Sequence, residues 1–325
     1  MKSELPCAVC GNHEVDVVAT TDRDGRPLRN VLCHECGLVW VDPRPSDEEL
    51  ARFYAKDYRS SYKGAAEPKK KHCYREMLRA NQRVERLREF YKPGDRLLDV
   101  GAGAGFFAYV LSGSDVDYRG IEPNQGYAGF ARERLGLGGV SVGYLQDVQD
   151  FGSFDIITIN HVFEHLPDPN ESLAHMHRLL KDGGHLIMEV PSSEADYHAP
   201  NKVFHVGHLY WYSPETISAM AVKHGFEVVD LRIVPGTRHI NIVMRKADLA
   251  EQTDWRSLYA GSYPRIRRFF DHRSMLGHFL SAMPYTRFAR KMAGYAGEYR
   301  YVKRFDDKLE LIRSIPRARV DAGRG

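Results

Sequence analysis

Apolar residues fall along this chain in two rhythms. Short, nearly unbroken apolar runs occupy 96–100, 117–121, 140–144, 154–160, 184–190, 226–233 and 239–244, with turn-forming residues between them, and predict strands. Helical periodicity fills the intervals. Over 74–91 it places Met77, Leu78, Val84, Leu87 and Phe90 on a stripe suited to covering a sheet, and Pro93 and Gly94 end that helix. The alternation predicts an α/β, doubly wound, Rossmann-like sheet of seven strands whose last pair is antiparallel. In such sheets ligands bind beyond the carboxyl ends of the strands, which directs attention to Asp99, Glu122, Tyr144, Asn160 and Pro191.

Upstream the rhythm is less regular. Residues 37–45 (GLVWVDPRP) predict a short strand, and Ser46 with Glu49 three residues later predicts the capped start of a helix through SDEELARFYAKDY. Residues 60–73 are polar, contain Gly and Pro, and read as a loop or lid. Four segments result: a zinc-binding knuckle at 1–45, linking helices and a lid at 46–92, the core at 93–247, and a basic helical extension at 248–325.

Composition changes this picture in two places. With 325 residues and 43% apolar content the chain can bury a sizeable core. No apolar run is long enough to cross a bilayer and the N-terminus lacks the apolar core of a signal peptide, so a cytoplasmic location is expected. The net charge of +3 conceals an asymmetry, because residues 256–325 hold 16 Lys/Arg against 6 Asp/Glu. Those cations are mixed with Phe, Leu, Met and Tyr. The pattern predicts amphipathic helices that pack against the body or against a dimer partner; contact with an anionic membrane surface or lipid-linked glycan ranks second, and nucleic acid third. Residues 1–40 carry more acidic than basic side chains, a poor footprint for a phosphate backbone.

Four of the five cysteines form two pairs, Cys7/Cys10 and Cys33/Cys36, with 22 residues between the pairs. Two-residue spacing lets both thiolates of a pair face one tetrahedral ion, and Gly11 and Gly37 follow where the chain must turn. The expectation is a four-thiolate structural zinc site with no coordination position open for catalysis. Cys73 stands alone.

The sharpest local signal is LLDVGAGAGFF, residues 97–107. Leu97, Leu98 and Val100 read as buried strand, Phe106 onward as helix, and Gly101, Gly103 and Gly105 as the turn between. A dinucleotide-binding turn is the rival reading, with Glu122 as the ribose-binding acid. Two details favour S-adenosylmethionine: the spacing is GxGxG, and Asp99 lies two residues before the first glycine. Its carboxylate would repel a pyrophosphate and attract an ammonium and a sulfonium.

With LLDVGAGAGFF, the segments GIEPN, FDIITINHVFEHLPDP and LLKDGGHLIMEVP stand in the order and spacing of class I S-adenosylmethionine-dependent methyltransferases, which residues 75–245 resemble. The resemblance implies that Asp99, Gly101 and Gly103 hold the methionine end and that Glu122 grips the ribose diol. It also implies that Tyr144 and Leu145 pack the adenine, with Asp147 a substitute partner for its amino group, and that Asn160 and His161 line the pocket. Glu164 and His165 read as groups that orient a helix or wall the pocket. The knuckle, then GLVWVDPRPSDEELARFY, then this core is similar to bacterial enzymes that include sugar C-methyltransferases. In those, a YHEH segment before a YYS-like run supplies the base; here FHVGHLYWYS, residues 204–213, aligns His208 with the second histidine, Gly207 with the glutamate and Val206 with the first histidine.

Methyl transfer to a hydroxyl needs a group that takes its proton. His208 is the first candidate base, His205 the second, and Tyr210 could orient a substrate oxygen; Tyr197 and His198 are weaker candidates. The chain is thus expected to methylate a small molecule or glycan, a sugar of a polysaccharide or natural-product pathway first. The alternatives are RNA methylation and a non-catalytic cofactor-binding module.

Overall fold

The computed structural model describes residues 1–46, 48–49, 67–196, 198–247 and 253–320. Its strands are β1 (Val15–Thr21), β2 (Pro27–Cys33), β3 (Val39–Val41), β4 (Asp95–Val100), β5 (Val116–Glu122), β6 (Val140–Val142), β7 (Phe154–Asn160), β8 (Leu180–Val190), β9 (Tyr210–Trp211), β10 (Phe226–Ile233) and β11 (Ile240–Lys246). The α-helices used below are α1 (Lys70–Leu87), α2 (Phe106–Leu111), α3 (Gln125–Gly129), α4 (Pro169–Leu179), α5 (Pro214–Lys223), α6 (Ser262–Asp271), α7 (Met275–Leu280), α8 (Met283–Val302) and α9 (Lys308–Ser314).

Seven strands form one mixed sheet in the order β6-β5-β4-β7-β8-β11-β10. Strands β4, β5, β6 and β7 pair in parallel, whereas β10 and β11 are antiparallel, as the sequence predicts. The chain leaves β4 toward β5 on one side and returns to β7 on the other, so the carboxyl end of β4 is the switch point where a doubly wound sheet opens a crevice. Gly101 and its neighbours begin there.

Two compact units divide the chain, each assembled from discontinuous stretches. The first comprises Met1–Lys63, Asn160–His177 and Met188–Arg287. Within it, β1, β2, β3 and β9 form a four-stranded antiparallel sheet. Its apolar core draws Leu32 from β2, Val39 from β3, Phe204 and Trp211 from the FHVGHLYWYS segment, and Ile266 from α6. An added Cβ on Gly37 would stand 2.9 Å from Ile266 Cδ1, so the residue after the second cysteine pair is small because a helix packs on it. Of the helix expected from Ser46, the reciprocal cap is present: Glu49 N–H donates to Ser46 Oγ, and Ser46 N–H donates to Glu49 Oε2. The rest of that helix, residues 60–66 of the expected loop and Tyr197 lie outside the described residues.

The second unit comprises Gly64–Ile159, Arg178–Ile187 and Phe288–Gly325. Here α1 begins at Lys70, four residues earlier than predicted, and buries Cys73, Met77, Ala80, Val84 and Leu87 at 4-3-4-3 spacing. Two corrections follow. Residues 70–73 belong to this helix rather than to a loop, and Leu78, expected on the buried stripe, is 42% exposed because its place is taken by Ala80. Cys73 is core, and burial pushes its thiol up to about 12, so it is an inert thiol.

The basic tail packs on α1. Arg75 pairs with Glu298 at 2.7 Å and lies over the Tyr295 ring, Lys308 pairs with Glu67 at 2.6 Å, and Lys70 Nζ donates to the Phe305 carbonyl. Leu311, Ile312, Ile315 and Val320 are buried. No described helix is long and apolar enough to cross a membrane.

Candidate active site and cysteine cluster

The glycine turn is built as its sequence implies. Gly101, Gly103 and Gly105 all have positive φ, and the N–H groups of Gly101 and Ala102 both donate to the Ile121 carbonyl, tying the end of β4 to the end of β5. The glycines do different work. A Cβ on Gly105 would meet Ala131 Cβ at 2.7 Å, so that position serves packing; a Cβ on Gly103 would meet nothing within 4 Å, so there the chain borders open space.

Both acids of the turn are buried. Asp99 accepts from Thr158 Oγ1 at 2.7 Å and from Tyr118 Oη at 2.9 Å. Glu122 accepts from Gly103 N–H at 2.9 Å and Asn124 N–H at 2.8 Å, so strand β5 holds the middle glycine directly. Burial raises the pKa of Asp99, which its two hydroxyl donors only partly offset. Glu122 is raised by burial too, with a further push from the Asp99 charge. Among the described residues neither carboxylate has an ion-pair partner. Two mutually repelling acids supplied only with neutral donors suit a cationic ligand, and the sulfonium and ammonium of S-adenosylmethionine meet that demand.

Tyr144 and Leu145 diverge from one another. Strand β6 stops at Val142, and Tyr144 is 63% exposed, whereas Leu145 is buried in a short 3₁₀ turn. Asp147 accepts from Tyr144 N–H at 2.7 Å and so shapes that turn. Asn160 ends β7.

In the first unit, histidines and two glutamates gather where sequence reasoning placed only part of them. His161 follows β7 with φ +55, a conformation non-glycine residues adopt at a cost of about 1–2 kcal/mol. Its N–H donates to the Glu189 carbonyl, and its Nε2 donates to Glu189 Oε1, both at 2.8 Å. Glu164 Oε1 lies 3.6 Å from His161 Nδ1, 3.8 Å from His165 Nε2 and 3.8 Å from His208 Nε2. His239 Nδ1 is 3.5 Å from Glu189. Although burial opposes it, the two carboxylates raise His161 to about 9, so it is charged at neutral pH.

The expected bases sit in this cluster as neutral imidazoles. Burial, reinforced by His205 and His165, pushes His208 well down, and burial takes His205 to about 3. His198 falls to about 4 for the same reason. Gly207 N–H donates to His205 Nδ1 at 3.2 Å, which leaves the His205 proton on Nε2 and makes it a donor. Tyr210 is buried, its hydroxyl donating to the Pro167 carbonyl and accepting from Arg44, so it is built into the wall of the small sheet. Gly207 stands where the sugar enzymes have glutamate, yet it still contributes: its carbonyl accepts from His165 Nδ1. The carboxylate that stands beside His208 is Glu164, from elsewhere in the chain. His161, Glu164, Glu189 and His239 are the residues sequence reasoning did not assign together; the only signal was the His-x-x-Glu-His spacing of 161–165.

The four knuckle cysteines also converge. Cys7 Sγ is 3.4 Å from Cys36 Sγ, and Cys10 Sγ is 3.4 Å from Cys33 Sγ. Thiolates sharing one zinc at about 2.3 Å stand roughly 3.8 Å apart, so a small adjustment admits the ion. Lys223 Nζ donates to the Ala8 and Val9 carbonyls, fixing the first pair's turn to α5.

Comparison with known proteins accords with this geometry. The ubiquinone biosynthesis O-methyltransferase of Thiobacillus denitrificans is 36% identical over 97 residues, 28% of this chain and 42% of that protein. The arsenite methyltransferase of Aquipseudomonas alcaligenes is 30% identical over 193 residues, 52% of this chain and 54% of that protein. The chain thus spans about half or less of the length of these relatives. A solved structure of Burkholderia thailandensis 1,6-didemethyltoxoflavin-N1-methyltransferase with S-adenosylhomocysteine aligns at a TM-score of 0.47 and 20% identity, covering 67% of this chain and 96% of that one. Residues 71–231, just under half of the chain, match the family model described as a methyltransferase domain, and they include the glycine turn and the strands on either side of it.

Proposed function

We propose that the chain transfers a methyl group from S-adenosylmethionine to a hydroxyl of a small molecule. The observation that carries this is the pair of buried acids, Asp99 and Glu122, the second bonded to Gly103 N–H, neither with an ion-pair partner among the described residues. The methionine end would lie by Asp99 and the ribose by Glu122, with Leu145 and Asp147 beside the adenine and Asn160 beyond β7. In the reaction the sulfur–methyl bond breaks with its electron pair left on sulfur, the acceptor oxygen forms the new bond to carbon, and the hydroxyl proton passes to solvent water.

The histidine–glutamate cluster of the first unit is the proposed source of the groups that act on the acceptor. His161, charged and pinned by Glu189, suits an acceptor oxygen that gains negative charge as its proton departs. His208 and His205 are neutral imidazoles in the same cluster. The four cysteines would hold a structural zinc ion that stiffens the small sheet. A sugar acceptor of a polysaccharide or natural-product pathway is supported by the order of knuckle and core in the sequence, and nucleotide sugars are the first acceptors to test.

Radiolabelled cofactor incubated with nucleotide sugars, glycolipids, small phenols and RNA tests the reading. Label is expected in a hydroxyl-bearing small molecule. Label confined to RNA would overturn it, and cofactor binding without transfer to any acceptor would favour a non-catalytic module.

A further inference from the structure

Glu164 is fully buried, and neither of its carboxylate oxygens has a hydrogen-bond partner. A buried carboxylate in that condition is costly unless something positive meets it. What surrounds it is nitrogen just beyond hydrogen-bonding distance: the charged His161 with Nδ1 3.6 Å from Oε1, and His165 Nε2 and His208 Nε2 each at 3.8 Å. Two ligands of one divalent ion with bonds of about 2.0–2.2 Å lie roughly 3.0–3.5 Å apart, so movements of a few tenths of an ångström would bring these atoms onto an ion.

The protonation pattern agrees. His165 donates Nδ1–H to the Gly207 carbonyl, which leaves the lone pair on Nε2, the nitrogen directed at Glu164. A backbone carbonyl holding the far nitrogen of an imidazole is the usual support of a metal-bound histidine, because it fixes tautomer and ring orientation together. The three ligand atoms lie within 4.8 Å of one another. His165 and His208 keep 24% and 19% of their side-chain surface exposed, which gives an ion a way in.

We infer that Glu164, His165 and His208 form a second metal site, one carboxylate and two imidazoles, for a divalent transition ion such as Zn2+ or Co2+. The set is separate from the four cysteines and chemically distinct, since it offers no sulfur. Three protein ligands leave the ion at least one open position. Resting on the proposed function, that position would take the acceptor oxygen, and the ion would ease the passage of its hydroxyl proton to solvent water. His208 then acts as a ligand through Nε2.

The test is metal binding by the full chain, read independently of methyl transfer. Metal-stripped protein is titrated with Co2+, desalted, and analysed for bound metal and visible absorption. Two equivalents per chain are expected, one with thiolate-to-cobalt charge-transfer bands and one without. Glu164→Gln and His208→Ala should each lose the equivalent that lacks those bands while retaining the thiolate signal and wild-type affinity for S-adenosylhomocysteine. Absence of a non-thiolate equivalent in saturated wild-type protein would overturn the inference, as would its retention in both variants. Because the wild-type titration decides by itself, a poorly folding variant does not shelter the inference. Methyl transfer by protein lacking the second ion would remove this site and leave the proposed function standing, whereas a second ion on a chain that methylates nothing would do the reverse.

Discussion

A carboxylate that accepts only from neutral donors inside a fold stays charged at a cost, and at Asp99 and Glu122 that cost points to the ligand. Asp99→Asn should weaken S-adenosylhomocysteine binding about 10- to 100-fold in calorimetric titration, the range for losing a charge-assisted contact. Wild-type affinity should also fall as the pH drops through the raised Asp99 pKa, because a protonated acid no longer attracts the ammonium. The two later glycines of the turn separate stability from binding. Gly105→Ala, with its Cβ against Ala131, should lower the melting temperature by an amount equivalent to about 2–3 kcal/mol, whereas Gly103→Ala faces open space and should cost about 1 kcal/mol while impairing binding. A Gly103→Ala protein with unchanged affinity would show that ligand does not approach that backbone. His161 provides the pH signature on the other side. Its folded pKa is raised from 6.5 to about 9, so its pairing with Glu189 stabilises fully below about 6.5 and is lost as the pH rises through 9. The melting-temperature gap between wild type and Glu189→Gln should therefore close over that interval; a constant gap would assign the effect to packing.

Among the elements, β9 is the most consequential for its size. Two residues long, it pairs Trp211 with Val39 and Tyr210 with Trp40, which makes the FHVGHLYWYS segment the edge of the sheet that begins at the cysteine knuckle. The histidines at 205 and 208 are therefore positioned by the sheet that carries the cysteine pairs, far away in sequence. If the cysteines hold zinc as proposed, removing it by chelation or by Cys36→Ser should speed amide hydrogen exchange across 204–212 while leaving exchange in β4 and β5 near its native rate. Equal loss of protection in both would mean that the knuckle has no special hold on this loop. The strands themselves were legible because apolar runs of β-branched residues bounded by turn formers admit few other structures: 154–160 and 226–233 match residue for residue. Strand β9 was not, since two residues carry no periodicity and owe their conformation to pairing.

At the scale of the whole chain, neither compact unit is a continuous stretch, and the tail contributes to both. Residues 262–271 bury Ile266 in the small sheet's core, and residues 308–320 bury Leu311, Ile312, Ile315 and Val320. At about 1.5–3 kcal/mol for each large apolar side chain fully buried, a chain truncated after Arg287 should lose several kcal/mol of stability in denaturant unfolding. A truncated chain as stable as the full one would show the extension to be an appendage. The excess of arginine and lysine that marks this segment is partly used internally, in pairs such as Arg75–Glu298 and Lys308–Glu67.

The sequence by itself determined the sheet, the cofactor turn and the grouping of four cysteines, because each is written in local spacing: strand runs, alternate glycines behind an acid, and cysteines two residues apart. What surrounds the proposed acceptor site was decided only by tertiary structure. Glu164 looked like a helix-orienting residue and FHVGHLYWYS like a motif missing its carboxylate until folding brought Glu164, from 44 residues before His208, beside that histidine. No periodicity or spacing rule reaches across such a separation. A carboxylate acquires its partners there through the packing of β9 on β3 and the left-handed turn at His161, which are properties of the folded chain and of no single segment of it.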